Sequence, residues 1–514
     1  MLMSEKKYIL SIDSGSTGIR AILFDKHANI VAREYQKTNP LHPEEGAIED
    51  NPQELWNALL SVVKSVLNKG FLAEDIAAIG ISNQRGSFCL WEKETGKPVT
   101  NFISWADIRS VETAEKMNEK GKWRFLKGIT KIIGAISSSV MMKTTSMFKF
   151  DPAQATVRLK WLLDNQPDLR DRLKKREIIF GTLDTWFIYN LTGKKSHVTD
   201  YTNAASTGLF NPFDMEWNKI YCNMFNLPIE GFPQVLETNS LFGMTHKSLF
   251  GIEIPIHAAG GDQQCALFGQ QCFEPGDVKV SQGSGIFVDV TVGENPKISK
   301  RGLYPLIAWF IDGKATYLLE GQVATAGTLI DWLGEGIGLS DTPKVLNEFA
   351  SETEDTEGVV FVPAPTGIQF PIFDFSCRAA IFGLSLTTHR RHVARAVLEG
   401  LALRVYDIIK GIEQDTNTKI KSIKVDGGVS KSDIELQAMA DFANFVVKRA
   451  PEADMTATGA AFFAGLGVGF WKDLTELKSL KLDYTEFIPK MDPEKRKEKL
   501  IRWNKAVNAV RIVK

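Results

Sequence analysis

The sequence lacks paired cysteines and long apolar runs, and each absence excludes a class of protein. Its five cysteines include no Cys-x-x-Cys pair, which argues against a disulfide framework and against a zinc site. No apolar run approaches the roughly 18–20 residues of a membrane helix. The N-terminus also lacks the apolar stretch of roughly 7–15 residues that a signal peptide needs. We therefore expect a cytoplasmic protein that does not cross a membrane.

The sequence also lacks an excess of charge of either sign, since 61 Lys and Arg residues stand against 62 Asp and Glu residues. The whole chain therefore has no field that would collect nucleic acid or anionic lipid, and any anion must be held by a local group of residues. Hydrophobic residues make up 44% of the chain, which argues against disorder. A length of 514 residues predicts two or more domains, because one core stops growing at roughly 250–300 residues.

The two halves of the chain show the same order of predicted elements. In the first half, alternating patterns predict strands at residues 8–12, 19–24, 30–35 and 76–81, with a helix that begins at Asn51-Pro52 and ends at Gly70. In the second half, strands are predicted at residues 278–281, 286–292 and 423–425, with a helix from about Ser432. The repetition predicts an α/β protein with two related halves, divided near residues 255–261. Residues from about 474 onward are expected to form a terminal helix.

Three glycine-containing turns follow predicted strands and are candidates for holding phosphate. They lie at residues 13–18, 283–285 and 426–428. Glycine allows successive backbone N–H groups to converge on an anion, although each turn taken alone is more often structural. A P-loop is excluded, because no G-x-x-x-x-G-K-[ST] segment occurs. The three turns together favour a nucleotide held between two domains.

Asp262 and Arg85 are the candidate reactive and acceptor-binding residues. Asp262 follows a predicted strand and begins a helix, where a carboxylate either caps the helix or accepts a proton from a substrate hydroxyl. Arg85 leaves another strand within Ser82-Asn83-Gln84-Arg85, on the usual ligand side of a sheet, although an exposed loop arginine is an equal alternative. By residue type alone, Trp105 and Phe287 are more often core residues than site residues.

Short segments along most of the chain resemble the FGGY family of carbohydrate kinases and occur in that family's order. They are residues 13–20, 83–85, 181–186, 260–264, 361–364, 426–428 and 458–461. Residues 379–399 fit the family's second signature along its whole length, and the resemblance covers about residues 8–473. Residues 91–98, 319–321 and 469–473 are most similar to glycerol kinases. Residues 101–105 and 242–243 are more similar to a divergent glycerol-kinase-like branch.

The resemblance implies two actin-like, ribonuclease-H-like α/β domains with ATP and Mg²⁺ in the cleft between them. It assigns residues 1–256 to the N-terminal, substrate-side domain, 257–473 to the C-terminal, nucleotide-side domain and 474–514 to a helical tail. Asp262 would be the general base and, with Asp13, would hold Mg²⁺. The acceptor would lie against Gln84, Arg85, Trp105, Gln263 and Phe287. The nucleotide and its phosphates would lie against Ser16, Thr17, Arg20, Ser284, Gly327, Gly428 and Ser432.

Five positions depart from the glycerol kinase pattern. Asp331 and Ser432 stand where Gln and Asn often contact the nucleotide. Gly86 stands where a Glu is usual, which removes a carboxylate that would accept from an acceptor hydroxyl. Ala153 stands where a Tyr is usual, and Arg158 replaces the Lys of the first family signature. Because Gly86 and Ala153 are small, these departures are expected to leave volume for a larger polyol or sugar.

The expected function is ATP-dependent phosphorylation of a hydroxyl on glycerol or a closely related polyol. The first alternative is a kinase of a larger acceptor such as a pentulose or tetritol. A nucleotide-switched, actin-like assembly or chaperone is another, but it does not explain why Asp262 and Arg85 would face one cleft. A degenerate kinase that serves as a scaffold is disfavoured, because Asp13 and Asp262 are intact. The expected partners are the small acceptor, ATP and a second copy in a homodimer, with no nucleic acid and no membrane.

Overall fold

The fold is described from a computed structural model of the chain. It covers residues 6–137, 139–303, 305–452 and 455–512. The strands are β1 (Tyr8–Gly15), β2 (Gly18–Phe24), β3 (Ile30–Lys37), β4 (Glu49–Asp50), β5 (Ile76–Asn83), β6 (Phe88–Glu92), β7 (Phe102–Ile103), β8 (Ile178–Thr182), β9 (Val198–Asp200), β10 (Phe210–Asn211), β11 (Glu216–Trp217), β12 (Gln234–Leu236), β13 (Gly243–Met244), β14 (Pro255–Gly261), β15 (Asp277–Gln282), β16 (Ile286–Gly293), β17 (Pro305–Ile311), β18 (Lys314–Val323), β19 (Val360–Val362), β20 (Ala380–Phe382), β21 (Ser422–Asp426), β22 (Val447–Arg449) and β23 (Thr485–Phe487).

Eighteen α-helices are present within the described residues. They are α1 (Pro52–Leu67), α2 (Val111–Glu119), α3 (Gly121–Ile136), α4 (Val140–Met147), α5 (Ala155–Asn165), α6 (Pro167–Lys174), α7 (Leu183–Leu191), α8 (Tyr201–Ser206), α9 (Lys219–Phe225), α10 (Lys247–Phe250), α11 (Asp262–Gly269), α12 (Gly327–Glu335), α13 (Pro343–Ser351), α14 (Arg390–Thr416), α15 (Asp433–Ala443), α16 (Met455–Gly467), α17 (Leu474–Ser479) and α18 (Pro493–Ile512). Across the described ranges, none of these helices combines the length and apolar character needed to cross a bilayer.

The chain divides into two units, and the predicted α/β class is confirmed in both. The first unit comprises Met1–Gln271, Leu306–Tyr317 and Thr456–Leu480, and the second comprises Cys272–Pro305, Leu318–Met455 and Lys481–Lys514. The predicted boundary at residue 256 falls within β14, which pairs with β5 inside the first unit. The tail after residue 474 is not purely helical, because β23 pairs with β22 in the second unit.

The first unit is built on a six-stranded sheet of order β13-β14-β5-β1-β2-β3. Strands β1, β2 and β3 form an antiparallel meander, and β5 and β14 then run parallel to β1. This arrangement brings the carboxyl ends of β1, β5 and β14 to one edge of the sheet. Its central strands are buried along nearly their whole length, as expected of a sheet covered on both faces.

Helix α1 shows how local sequence fixes an element that covers this sheet. The Asn51 side chain accepts hydrogen bonds from the backbone N–H groups of Gln53 and Glu54, and Pro52 occupies the first helical position. Proline does not destabilise the helix at this position, because the backbone N–H that proline lacks would have no partner within the helix. The buried face of α1 joins the core cluster of the sheet through Leu55, Ala58, Leu59, Val62, Val63 and Val66.

The second unit repeats the arrangement around β15. Strands β18, β16, β15, β21, β22 and β23 are neighbours in that order. β15 pairs antiparallel with β16 and parallel with β21, which pairs parallel with β22. The carboxyl ends of β15 and β21 therefore meet at one edge of this sheet, and the glycine turns at residues 283–285 and 426–428 follow them.

Helix α16 packs closely within the first unit through its glycines. A Cβ on Gly459 would lie 1.7 Å from the carbonyl oxygen of Cys265, and one on Gly465 would lie 2.1 Å from the ring of Trp471. On the facing strand β5, a Cβ on Gly80 would lie 2.1 Å from the carbonyl oxygen of Ala460. The helix approaches the strand this closely because these positions have no side chain.

We predict that Gly459→Ala lowers the thermal midpoint by several degrees, because overpacking against a fixed backbone costs about 1–3 kcal/mol or more. Gly128→Ala in α3 is the matched control, since no described atom would lie within 4 Å of its Cβ. That substitution is expected to stabilise by about 0.5–1 kcal/mol. Thermal unfolding of the two variants by circular dichroism tests the prediction. Equal midpoints would contradict the close packing of α16.

Candidate active site

The candidate site of the first unit lies at the shared edge of β1, β5 and β14. The strand register pairs Ser14 of β1 with Asn83 of β5, and Asn83 with Gly261 of β14. Polar residues leave all three strand ends, because Asp13 lies at the end of β1, Arg85 follows β5 and Asp262 follows β14. The carboxyl ends of parallel strands are the usual ligand side of an α/β sheet.

Asp262 and Arg85 are brought together at this edge. The Nε atom of Arg85 lies 3.4 Å from Oδ1 of Asp262, and the side chains are 14% and 28% exposed. Gly261 is the N-cap residue of α11, and Asp262 is its first helical residue. Oδ1 of Asp262 accepts a hydrogen bond of 2.9 Å from the backbone N–H of Gln263. The helix N-terminus and the guanidinium together favour a charged carboxylate that solvent and a small molecule can reach.

Asp13 and Arg20 face each other across the hairpin of β1 and β2. The two residues are register partners, and Nη1 of Arg20 lies 3.7 Å from Oδ2 of Asp13. The Asp13 side chain is almost buried, whereas the Arg20 guanidinium lies 5.6 Å from the centre of the Tyr35 ring. This places one carboxylate and one cation beside the end of β1.

The turn that joins β1 to β2 consists of Ser16 and Thr17, because Gly15 pairs with Gly18. Both turn residues are exposed. The carbonyl oxygen of Thr17 accepts hydrogen bonds of 3.2 Å from the backbone N–H of Thr38 and 2.8 Å from the Tyr35 hydroxyl. The turn is therefore a tight hairpin whose backbone is held by Thr38 and Tyr35 while both of its residues are exposed.

The other residues of the first unit that were predicted to bind the acceptor substrate lie in different surroundings. Trp105 is 39% exposed, so it is not a core residue, and its backbone N–H donates to the Ser87 hydroxyl at 3.0 Å. Gln263 is half-buried next to Asp262. Gln84 is buried, and its side chain bonds to the Asp50 carboxyl. Burial raises the pKa of Asp50 to about 6, with a further rise from nearby Glu54.

A buried polar network behind the strand ends was missed by sequence reasoning. Asp200 accepts hydrogen bonds from the backbone N–H groups and side chains of Thr202 and Asn203. Asn203 exchanges side-chain hydrogen bonds with Asn83, and the Thr202 hydroxyl accepts from the backbone N–H of Gly261 at 2.8 Å. One carboxylate thus supports both the strand that leads to Arg85 and the strand that leads to Asp262. The only sequence signal was the helix-capping segment Asp200-Tyr201-Thr202-Asn203.

Arg158 is the second residue whose importance the sequence did not reveal. It is completely buried, and its guanidinium donates all five of its N–H groups to backbone carbonyls. Nε donates to Pro152, Nη1 to Ile103 and Ser104, and Nη2 to Gly86 and Ala153, at 2.6–3.2 Å. These carbonyls belong to three segments that adjoin Arg85, Trp105 and α5. Burial lowers the pKa of Arg158 to about 9.

The surroundings of Gly86, where extra volume was expected, include the Arg158 side chain and Ala153. A Cβ on Gly86 would lie 3.5 Å from Nη2 of Arg158 and 3.9 Å from the carbonyl oxygen of Ala153. Three of the departures from the glycerol kinase pattern are therefore neighbours, because the Arg158 side chain bonds to the carbonyl oxygens of the two smaller residues. Gly86 also has φ +76°, a conformation that favours glycine.

The second unit places its glycine turns together at the end of its own sheet. The carbonyl oxygen of Ser284 accepts from the backbone N–H of Ala326 at 2.7 Å, and that of Gly283 accepts from the N–H of Gly327 at 3.0 Å. A Cβ on Gly327 would lie 2.8 Å from the Gly283 oxygen, and one on Gly427 would lie 2.3 Å from the Gln282 oxygen. The N-terminus of α12 is thereby joined to the turn after β15 by hydrogen bonds from its own first backbone N–H groups.

Gly428, Ser432 and Phe287 complete the residues predicted in the second unit. A Cβ on Gly428 would meet no described atom within 4 Å, so this backbone is open to a ligand. Ser432 is buried, caps α15 through the N–H of Glu435, and bonds to the Asn347 side chain. Phe287 is half-buried on β16, opposite Ser281 of β15, and is therefore not a core residue.

A buried carboxyl lies behind the turn that contains Ser284. Glu435 is fully buried, and its Oε1 accepts from the side-chain amide of Gln282 at 2.8 Å. Its Oε2 has no hydrogen-bond partner within the described part of the chain. Burial raises the pKa of Glu435 to about 8, so the carboxyl is mostly protonated in the folded protein at neutral pH.

The described residues contain no group of three or more His, Cys, Asp or Glu side chains arranged to hold a metal ion. All five cysteines are buried and free, in agreement with the absence of a disulfide framework. A divalent cation at the first-unit site would therefore take one or two carboxylates from the protein and the remaining ligands from a substrate or water, which is the usual pattern for Mg²⁺.

Comparison with known proteins gives matches along nearly the whole chain. Residues 8–269 match the N-terminal domain profile of the FGGY family of carbohydrate kinases, and residues 278–468 match its C-terminal domain profile. The chain is 38% identical to glycerol kinase 2 of Thermotoga maritima over 503 residues, which is 98% of each chain.

Solved structures give the same picture. The glycerol kinase of Plasmodium falciparum, crystallised with ADP, superposes with a TM-score of 0.89 at 31% identity and 98% coverage of both chains. The gluconate kinase of Lactobacillus acidophilus has a TM-score of 0.84 at 22% identity, again over 98% of both chains. The second likeness shows only that the fold is shared.

We predict that Glu435→Gln stabilises the protein increasingly as the pH rises. The pKa of Glu435 is about 8 in the folded protein and 4.5 in the unfolded chain. The carboxyl therefore contributes most to the unfolding free energy below pH 4.5, and this stabilisation is lost as the pH rises through about 8. Glutamine does not ionise. The difference in unfolding free energy between variant and parent should therefore grow by about 2–4 kcal/mol from about pH 5 to about pH 8.

Chemical denaturation across this pH range measures the effect. Glu498→Gln is the matched control, because Glu498 is an exposed residue of α18, and its curve should parallel that of the parent. If the unfolding free energy of Glu435→Gln followed the same pH dependence as that of the parent, the buried carboxyl would not change its protonation on unfolding.

Proposed function

The chain belongs to the FGGY family of carbohydrate kinases, and from this membership we propose that it transfers a phosphoryl group from ATP to a hydroxyl of glycerol or a closely related polyol. The observation that carries the proposal is the Asp262–Arg85 pair at the ends of adjacent parallel strands. A reachable carboxylate held beside a guanidinium supplies a proton acceptor and a donor for neighbouring hydroxyls. Similarity to glycerol kinases over 98% of the chain supports the acceptor class.

In the proposed reaction, Asp262 accepts the proton of the acceptor hydroxyl as that oxygen attacks the γ-phosphorus of ATP. The bond from oxygen to phosphorus forms while the bond from the γ-phosphorus to the bridging oxygen breaks, and ADP leaves. Arg85 and Gln263 orient the acceptor by hydrogen bonds. Trp105 offers an exposed ring for its carbon skeleton, and Phe287 and Gln84 are assigned to the same acceptor by resemblance.

The residues around β1 are suited to the phosphate and metal side of this reaction. Mg²⁺ would be held by the carboxylates of Asp13 and Asp262, whose oxygen atoms are the ligands it prefers, and it would neutralise charge on the transferring phosphoryl group. Arg20 adds a cation beside Asp13. The exposed hydroxyls of Ser16 and Thr17 are free of the backbone contacts that hold their turn, and are placed to donate to phosphate oxygens.

In the second unit, the turn containing Ser284, the start of α12 at Gly327 and the open backbone at Gly428 are proposed to bind the nucleotide. The close approaches of Gly283 to Gly327 and of Gln282 to Gly427 support this, because they bring the start of α12 and the two glycine turns together at the same edge of the sheet. Ser432 contributes mainly by capping α15, since its hydroxyl is already bonded to Asn347.

A larger acceptor, such as a pentulose or tetritol, is the second candidate. The missing carboxylate at Gly86 favours it, because one hydroxyl of glycerol loses a partner. The Arg158 guanidinium beside Gly86 weighs against it, because this side chain lies next to the space that two small residues would open. We therefore place glycerol first. Binding of Mg²⁺, the cytoplasmic location, the homodimer and the cleft between the domains remain predictions.

We predict that glycerol gives the highest kcat/KM among glycerol, dihydroxyacetone, erythritol, ribulose and xylulose in a coupled assay of ADP release. Asp262→Asn should lower kcat by about 10²–10⁴-fold, because the proton acceptor is lost. Asp171→Asn, at an exposed position of α6, is the matched control and should keep full activity. A preference for ribulose or xylulose would establish the second candidate. ADP release that needs no acceptor and survives Asp262→Asn would contradict both.

We also predict that Arg158→Lys raises the KM for the acceptor about tenfold or more and leaves the KM for ATP nearly unchanged. Lysine has three N–H donors, so at least two of the five carbonyls would lose their partner, at about 1–3 kcal/mol each. The segments that adjoin Arg85 and Trp105 would then be less well held. Arg502→Lys in α18 is the matched control, because that side chain is 40% exposed and its ion pair is with Glu498 of its own helix.

Steady-state kinetics in both substrates, together with the thermal midpoint, distinguish positioning from a general loss of folding. A parallel rise of both KM values with a lower midpoint would show that Arg158 only stabilises the fold. Unchanged kinetics would show that the acceptor segments do not depend on it.

A further inference from the structure

Helix α3 of the first unit exposes a stripe of large apolar side chains. Phe125, Ile132 and Ile136 are 70%, 65% and 85% exposed, and Ile129 and Ile133 are also exposed. Their spacing of three and four residues places all five on one face, within an arc of about 100° at 100° per residue. Single exposed apolar residues need no explanation, but a continuous stripe over about three turns of one helix marks an interaction surface.

The helix is anchored to the protein by its opposite side, so the stripe is not an unpacked core face. Trp123 is fully buried, and its ring lies 4.9 Å from Phe150 and 5.3 Å from Tyr221. Thr130 and Gly134 are also buried on this side, and Gly134 lies close to the backbone of Lys143 in α4. The helix therefore presents one face to the protein and a different apolar face to the solvent.

The charge of this region is of one sign. Residues 120–150 contain seven Lys and Arg residues and no Asp or Glu, in a chain whose formal net charge is −1. Four of the seven lie within α3, at Lys122, Arg124, Lys127 and Lys131. The acidic residues of the preceding helix α2 end at Glu119. The balanced charge of the whole chain thus conceals a local basic surface.

We propose that α3 binds the surface of an anionic lipid membrane, with the stripe of Phe125, Ile129, Ile132, Ile133 and Ile136 in the boundary between headgroups and acyl chains. A helix with an apolar face and a basic polar face is the form that lies in this interface plane. Lysine and arginine reach anionic headgroups with flexible side chains while their methylene groups extend the apolar contact. With 16 residues and four basic side chains, α3 lies on the membrane and does not cross it.

A second copy of the chain is a poorer occupant of the stripe than anionic lipid. A twofold contact through α3 would bring the same basic residues of both copies together without acidic partners from this segment. Like charges facing each other across an interface are repulsive, whereas an anionic surface complements the basic residues of α3. The charge pattern therefore selects the lipid surface over self-association.

Co-sedimentation of the full chain with vesicles tests the proposal. We expect binding to vesicles of phosphatidylcholine mixed with phosphatidylserine, weaker binding at high salt, and little binding to phosphatidylcholine alone. Ile132→Ser with Ile136→Ser removes apolar contact, and Lys122→Gln with Arg124→Gln and Lys131→Gln removes charge. Each set should weaken binding at least tenfold, since a basic residue near the surface contributes about fivefold.

Leu72→Ser with Ile501→Ser is the matched control, because both residues are exposed and lie outside α3. This control should bind vesicles as the parent does, and all variants should keep the parent's thermal midpoint and kinase activity. The proposal is overturned if the parent does not bind the mixed vesicles, or if the α3 variants bind them as well as the control does. It is also overturned if sedimentation velocity shows self-association that the α3 variants abolish while vesicle binding is absent.

Discussion

The candidate site depends on satisfying the buried polar groups behind the ends of three parallel strands. A carboxylate or guanidinium at a strand end is useful only if the backbone that carries it stays fixed, and a buried donor or acceptor without a partner costs about 1–3 kcal/mol. Asp200 supplies acceptors behind the strands that lead to Arg85 and Asp262. Arg158 supplies five donors to the segments around Gly86 and Ser104. One buried carboxyl group and one buried guanidinium thus hold the site, the first through its acceptors and the second through its donors.

The fold and the exposed site residues could be read from the sequence because their signals are local. Asn51-Pro52 begins α1, glycine turns follow β1 and β15, and Asp262 begins α11 directly after a strand. In each case the residues that determine the structure are neighbours in the chain. A single sequence therefore contains enough information to place Asp13, Arg85 and Asp262 at strand ends.

The supporting residues could not be read in this way because their partners are distant in sequence. Arg158 bonds to Gly86 and Ile103, which lie 72 and 55 residues away, and Asn203 bonds to Asn83 across 120 residues. In the sequence, Gly86, Ala153 and Arg158 are three separate departures from a family pattern. Only the fold shows that they are neighbours. The sequence suggested a larger acceptor from the small residues Gly86 and Ala153, because it did not show that Arg158 lies beside them.

The proposed membrane surface and the acceptor segments are joined by a short, well-packed stretch of chain. Trp123 of α3 packs on Phe150, and the Asn118 side chain bonds to both the N–H and the carbonyl oxygen of Phe150. Two residues later, the carbonyl oxygen of Pro152 accepts from Arg158. Docking of α3 would therefore leave the acceptor segments in place while holding the enzyme at a surface. A nearly neutral chain can meet two kinds of anion, ATP and lipid, because each is met by its own local group of residues.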